Sequence, residues 1–156
     1  MSDPASTSSR PEGSILALDL GRRRTGLARS DPGRRVAFGL PTFEVRTGRS
    51  LKKHLQDLLR EEPVGGVVLG LPLHQDGRPG DLAGTAQRLG DWIRKELKLP
   101  VAYWDERLTT WEAAQVLLPG KRSRRREKGA LDQMAAQLIL REFLQAGCPF
   151  PESMDD

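Results

Sequence analysis

The chain has 156 residues, enough to bury one substantial core, and a formal net charge of +4 from 25 Lys and Arg against 21 Asp and Glu. A single cysteine, Cys148, excludes an intramolecular disulfide and a thiolate zinc site and fits a reducing compartment, so a cytoplasmic location is expected. No apolar stretch approaches the roughly 18 residues of a membrane span, and no membrane partner is expected.

The N-terminal MSDPASTSSRPEG has Ser and Pro but no apolar core of a signal peptide, and residues 1–13 are expected to form a disordered tail. One domain is expected over residues 14–146, followed by an acidic tail over 147–156. Ser14 to Asp19 is a short, nearly continuous apolar run. Thr25 to Ser30 and Arg35 to Val45 follow as strands, separated by LGRRR and DPGR turns. Three strands with tight links predict an antiparallel meander.

Leu51, Leu55, Leu58 and Leu59 recur at helical spacing, and Pro63 closes that helix before the buried strand Val67, Val68, Leu69. Leu82, Ala86, Leu89, Ile93 and Leu97 mark a second amphipathic helix, and Pro100 introduces the strand VAYW. Strands alternating with crossover helices favour parallel pairing, so the predicted α/β architecture is a mixed five-stranded sheet, three antiparallel strands followed by parallel ones, flanked by helices. Thr109 and Glu112 fit a capping box for a helix through Ala113, Ala114, Val116 and Leu117. Leu131, Met134, Ala135, Leu138 and Ile139 form the apolar stripe of the last helix.

Three acids stand where burial should exclude them. Asp19 ends the first apolar strand, in LALDLGRRRTG, and desolvating a carboxylate is costly unless it is paired or metal-bound. Pairing with Arg22, Arg23 or Arg24 would satisfy it. Asp105 and Glu106 end another central strand in YWDERLTT; adjacent strand residues point to opposite faces, so one of the two should share a site with Asp19. The other reading is a helix cap or a pair with Arg107. Asp132 lies beside the apolar stripe of the last helix, and in a first turn it would also interact favourably with the helix dipole. Its neighbours Ala135 and Ala136 are small enough for close approach to a strand.

Two acids at strand ends and one on the covering helix can converge at one edge of the sheet. Mg²⁺ takes oxygen ligands and retains waters, so carboxylates from separate elements can hold one or two ions, and such ions cleave phosphodiesters. The run KRSRRREKG, with Lys121, Arg122, Arg124, Arg125, Arg126 and Lys128, is expected as a loop just before Asp132 that contacts phosphates. Gly21 and Gly26 are expected to serve turns; for Gly70 a turn role comes first and close approach of a phosphate backbone second. Trp92, Trp104 and Trp111 are expected to pack in or near the core, and His54 and His74 to lie on the surface.

The segments DLGRRRTGLA, VVLGLPL, YWDERLTT and LDQMAAQLIL, in this order from Ile15 to Leu144, resemble the YqgF (RuvX-type) family of Holliday-junction-resolvase-like nucleases with a ribonuclease H-like fold. The resemblance implies that Asp19, Glu106 and Asp132 are catalytic, metal-binding acids for Mg²⁺ or Mn²⁺, with Asp105 the alternative to Glu106. Arg24 and Gly26 match the first motif, Gly70 and Pro72 the second, and Thr109 and Thr110 the third. The family often has Ser after the last acid, where this chain has Gln133.

The implied function is a metal-dependent endonuclease. Its substrate is branched DNA, cut by a homodimer in recombination and repair, and/or the precursor of 16S ribosomal RNA, trimmed at its 5′ end in ribosome biogenesis. The arginines after Asp19 and the basic run would position that substrate. Two other readings stay open: a non-catalytic RNA-binding ribosome-assembly factor, and an actin-like nucleotide-binding protein, whose phosphate-binding turn is similar to DLGRRRTG.

Overall fold

The computed structural model describes residues 13–72, 82–106 and 124–151, and in the last stretch describes side chains from Gln133 onward. Five strands form one sheet: β1 (Ile15–Leu20), β2 (Arg24–Ser30), β3 (Ala37–Glu44), β4 (Gly66–Leu71) and β5 (Val101–Asp105), in spatial order β3-β2-β1-β4-β5. β1 pairs antiparallel with β2 and parallel with β4; β2 with β3 is antiparallel and β4 with β5 parallel. This is the expected mixed α/β sheet of a ribonuclease H-like domain, with one correction: β5, expected as a central strand, stands at an edge of the five-stranded sheet, beside β4. Apolar residues on both faces of β1 put it at the centre, where helices cover it on both sides.

Helix α1 (Gly48–Glu61) connects β3 to β4, and α2 (Ala83–Trp92) runs into a π-helical turn (Ile93–Leu97) before β5. Thr47 caps α1: its Oγ1 accepts from Ser50 N–H at 3.1 Å, and Ser50 Oγ accepts from Thr47 N–H at 3.2 Å. Leu51 and Leu55 of α1, with Leu89 and Ile93, pack on Leu16, Leu18, Val67 and Leu69. Helix α3 (Arg124–Gln145) covers the other face, where Ala136, Ile139, Leu140 and Phe143 meet Ile15, Ala17, Ala28, Val68 and Ala102. Alanines on both sides of this contact let α3 ride close to the sheet. Among the described residues no helix is long and apolar enough to cross a membrane.

Helix α3 ends in a Schellman arrangement: Cys148 N–H reaches Phe143 O and Gly147 N–H reaches Leu144 O, both at 3.0 Å, with Gly147 at φ 89°. The reversal folds Phe150 back onto Phe143, ring centroids 5.1 Å apart, and over the bare backbone of Gly66. Residues 147–151, expected as tail, thus pack against the domain because Phe150 has an apolar seat there. The expected helix over Thr109–Leu117 lies outside the described residues.

Candidate functional site

The alternation of side chains along the strands decides which acids can meet. In β1, Leu16, Leu18 and Leu20 face α1 and α2, while Ile15 and Ala17 face α3. Asp19 therefore faces α3 at the last step but one of the strand. Directly opposite on β2 is Gly26, and one step beyond the Leu18–Leu69 pair on β4 comes Gly70. A central carboxylate is thus flanked by two residues without side chains, which leaves the sheet face open around it.

The same alternation separates Asp105 from Glu106. Val101 packs with the α1–α2 layer and Ala102 with the α3 layer, so Glu106, immediately after β5, continues the α3-facing series and Asp105 the opposite one. The Glu106 side chain reaches back over Gly70: a Cβ there would lie 2.7 Å from Glu106 Oε2 and 2.8 Å from Ile139 Cδ1. Its carboxyl shares a hydrogen bond with Asp19. Burial pushes the Glu106 carboxyl above the usual range; the bond to Asp19 opposes this and the Asp105 charge adds to it. Among the described residues, the buried Glu106 Oε2 has no hydrogen-bond partner.

This donor set fits a hard divalent cation. Two carboxyls on one hydrogen bond share a proton, and a cation in its place would hold both ionised and engage the unpartnered oxygen. Among the described residues no group of three or more metal-ligating side chains gathers; the Asp132 side chain lies outside them.

Asp132 lies more than two turns from Arg124, where α3 begins, so the expected first-turn position is corrected. The next residue is tied to the sheet: Gln133 Nε2 donates to Leu40 O at 2.7 Å, and Gln133 Cγ lies 2.6 Å from where a Cβ on Gly39 would be. Leu40 pairs with Leu27, which stands opposite Leu18, so this tie is one residue from the level of Asp19. One turn on, Gln137 Nε2 donates to Ala37 O at 3.0 Å.

Among the expected phosphate-binding residues, Arg22 and Arg23 are exposed in the β1–β2 turn, and Arg24 is half-buried opposite Glu44. Arg124, Arg125, Arg126 and Lys128 belong to the first turns of α3, which corrects the expected loop; Arg, Lys and Glu are good helix formers and no proline interrupts them. Lys121, Arg122, Thr109, Thr110, Trp111 and His74 lie outside the described residues.

The glycine expectations divide. Gly21 serves the turn, since a Cβ would stand 2.5 Å from Arg24 O, whereas Gly26 and Gly70 are strand residues. His54 is half-buried and stacked on Phe43, centroids 4.2 Å apart, rather than free on the surface. Trp92 and Trp104 are half-buried against the two cores, as expected.

Two features escaped the sequence reading. The three-residue link Gly21–Arg23 places Gly26 opposite Asp19, which a hairpin count would have shown; the Gln133 tie to an edge strand has no sequence signal.

Residues 13–146 match the model of the family described as RuvX: Holliday junction resolvase. A relative from Thermosynechococcus vestitus, called "Putative pre-16S rRNA nuclease", is 41% identical over 133 residues, covering 85% of this chain and 88% of its own. Another of the same name from Syntrophomonas wolfei is 39% identical over 133 residues, covering 85% and 94%. The solved structure of T. thermophilus RuvC in complex with Holliday junction substrate superposes with a TM-score of 0.58 at 14% identity, covering 90% of this chain and 99% of that one, and so shares the fold. On its sequence, from the residues before β1 to the end of α3, the chain belongs to the RuvX family of Holliday junction resolvases.

Proposed function

We propose that the protein is a divalent-metal-dependent endonuclease of the cytoplasm that trims the precursor of 16S ribosomal RNA at its 5′ end. In this reading Asp19, Glu106 and Asp132 hold Mg²⁺ or Mn²⁺. The observation that carries it is the Asp19–Glu106 carboxyl pair, with a buried oxygen that lacks a partner among the described residues, at the open edge of the sheet. The substrate follows the curated relatives at about 40% identity.

When bound, a divalent cation supplies Lewis-acid activation of water and of the phosphoryl oxygens. The chain does the rest. The central strand fixes Asp19, Gly70 makes the space in which Glu106 turns toward it, and burial of Glu106 keeps bulk water from its carboxyl. The Gln133 bond to β3 ties α3 to the sheet next to Asp132 in the chain. Arg22, Arg23 and Arg24, with Lys121, Arg122, Arg124, Arg125, Arg126 and Lys128, bind phosphates, which positions the backbone without selecting bases. Thr109 and Thr110 have a supporting role around the acids in this reading.

A side-by-side assay with Mn²⁺, on 16S rRNA precursor and on a four-way DNA junction, tests this with wild type and Asp19→Asn. Wild type should cut the precursor and Asp19→Asn should bind but not cut it. Cleavage of the junction alone moves the substrate to branched DNA and calls for a homodimer making paired cuts. Binding without cleavage of either by wild type leaves a non-catalytic ribosome-assembly factor.

A further inference from the structure

The sheet edge that carries Asp19 has basic residues on its α1 side as well. Arg22 and Arg23 project from the β1–β2 turn, and Val45 N–H donates to Arg23 O at 2.7 Å, so the turn is stitched to the segment that enters α1. Arg46 precedes the Thr47 cap and Arg49 stands in the first turn of α1; all four arginines are exposed. From Thr42 to Gln56 the chain has one acid, Glu44, which sits opposite Arg24 in the β2–β3 pairing. Among the described residues, Arg23, Arg46 and Arg49 have no carboxylate partner.

Cations farther along are treated differently. Lys53 and Arg60 share Asp57 at 3.5 Å each, Arg94 pairs with Asp91, and Lys52 lies over the Trp92 ring, 5.3 Å from its centroid. Arg23, Arg46 and Arg49 lie together at the site end without such a partner among the described residues. Their position also opposes local stability, because the N-terminal end of a helix favours negative charge and α1 has no acid in its first turn. Like charges gathered against the helix dipole are accounted for by a polyanion that neutralises them.

We propose that Arg23, Arg46 and Arg49, with Arg22 beside them, form a second phosphate-binding surface on the α1 side of the sheet edge. It holds the substrate backbone on the opposite side of the acids from α3, so that the nucleic acid lies across the edge and is gripped on both sides. This rests on the nuclease reading and adds Arg46 and Arg49 to it.

The test measures binding of a fluorescently labelled 16S rRNA precursor fragment by anisotropy over a KCl series, in EDTA so that nothing is cut. It compares wild type, Arg46→Ala/Arg49→Ala and, as a control of equal charge, Lys53→Ala/Arg60→Ala. The site-end pair should weaken binding roughly tenfold and flatten the slope of log Kd against log salt by about 2, while keeping or raising Tm. The control should leave the slope unchanged. An unchanged slope in the site-end pair, or equal flattening in both pairs, overturns the surface and leaves the nuclease reading standing. Failure of wild type to bind overturns both.

Discussion

The carboxyl of Glu106 occupies the space that a side chain on Gly70 would fill, its Oε2 lying 2.7 Å from the Cβ position. Gly70→Ala should therefore displace Glu106 from Asp19 rather than unfold the sheet, at a cost of about 1–3 kcal/mol in stability. Calorimetric titration with Mn²⁺ should show the loss of affinity, and far-UV circular dichroism an unchanged fold. Undiminished Mn²⁺ binding would remove Gly70 from the site.

Glu106 gives the metal-free protein a pH dependence whose sign is fixed. Its carboxyl is raised in the folded state, chiefly by burial, so its contribution to stability is full below the unfolded value, about pH 4, and is lost as pH rises through the folded one. Glu106→Gln lacks that loss. In EDTA its Tm should match wild type in acid and exceed it increasingly toward neutral pH. Mg²⁺ should raise the wild-type Tm and leave the variant's unchanged. A Tm difference that does not vary with pH would show that Glu106 ionises freely.

Asp105 and Glu106 are neighbours with opposite assignments. Asp105→Asn should keep Mn²⁺ affinity and cleavage, since the residue continues the face turned away from Asp19. Asp19→Asn and Glu106→Gln should each lose more than the roughly 10–100-fold that an outer-shell partner typically contributes. Equal losses in all three would mean that Asp105 also reaches the metal.

Thr25 is fully buried between Leu20 and Phe43, and among the described residues its Oγ1 has no hydrogen-bond partner. Thr25→Val keeps the shape and removes the unsatisfied hydroxyl, so urea denaturation should show a gain of about 1 kcal/mol. Destabilisation would mean that the hydroxyl is satisfied in solution.

On the α3 side, Arg124→Ala/Arg125→Ala/Arg126→Ala should weaken nucleic-acid binding whatever the sequence and flatten the salt slope by about 1 for each phosphate that these arginines neutralise. Anisotropy titrations with precursor fragments of different sequence would check both, and an intact slope would remove these arginines from the interface.

Much of this protein is legible in its residues alone. The switch from tight turns to alternating helices indicates the sense of the five strands, because hydrophobic period and link length are local properties, but not the place of each: β5, read as central, is an edge strand. Asp19 stands out because an acid in an apolar strand is costly wherever the strand lies. The basic run is legible as charge but not as helix, since a loop and a helix end can have the same composition. Asp105 and Glu106 cannot be separated by composition, because both are acids at one strand end.

The sequence by itself determined the mixed sheet and the central place of β1, and it singled out Asp19 as an acid in an apolar strand, since apolar patterning and the cost of buried charge act residue by residue. Only the tertiary structure decided that Glu106 rather than Asp105 turns toward Asp19. That choice depends on strand register, on the missing side chain of Gly70 one strand away and on Ile139 of α3 closing the other side. Such interactions join residues far apart in the chain, and no local pattern encodes them.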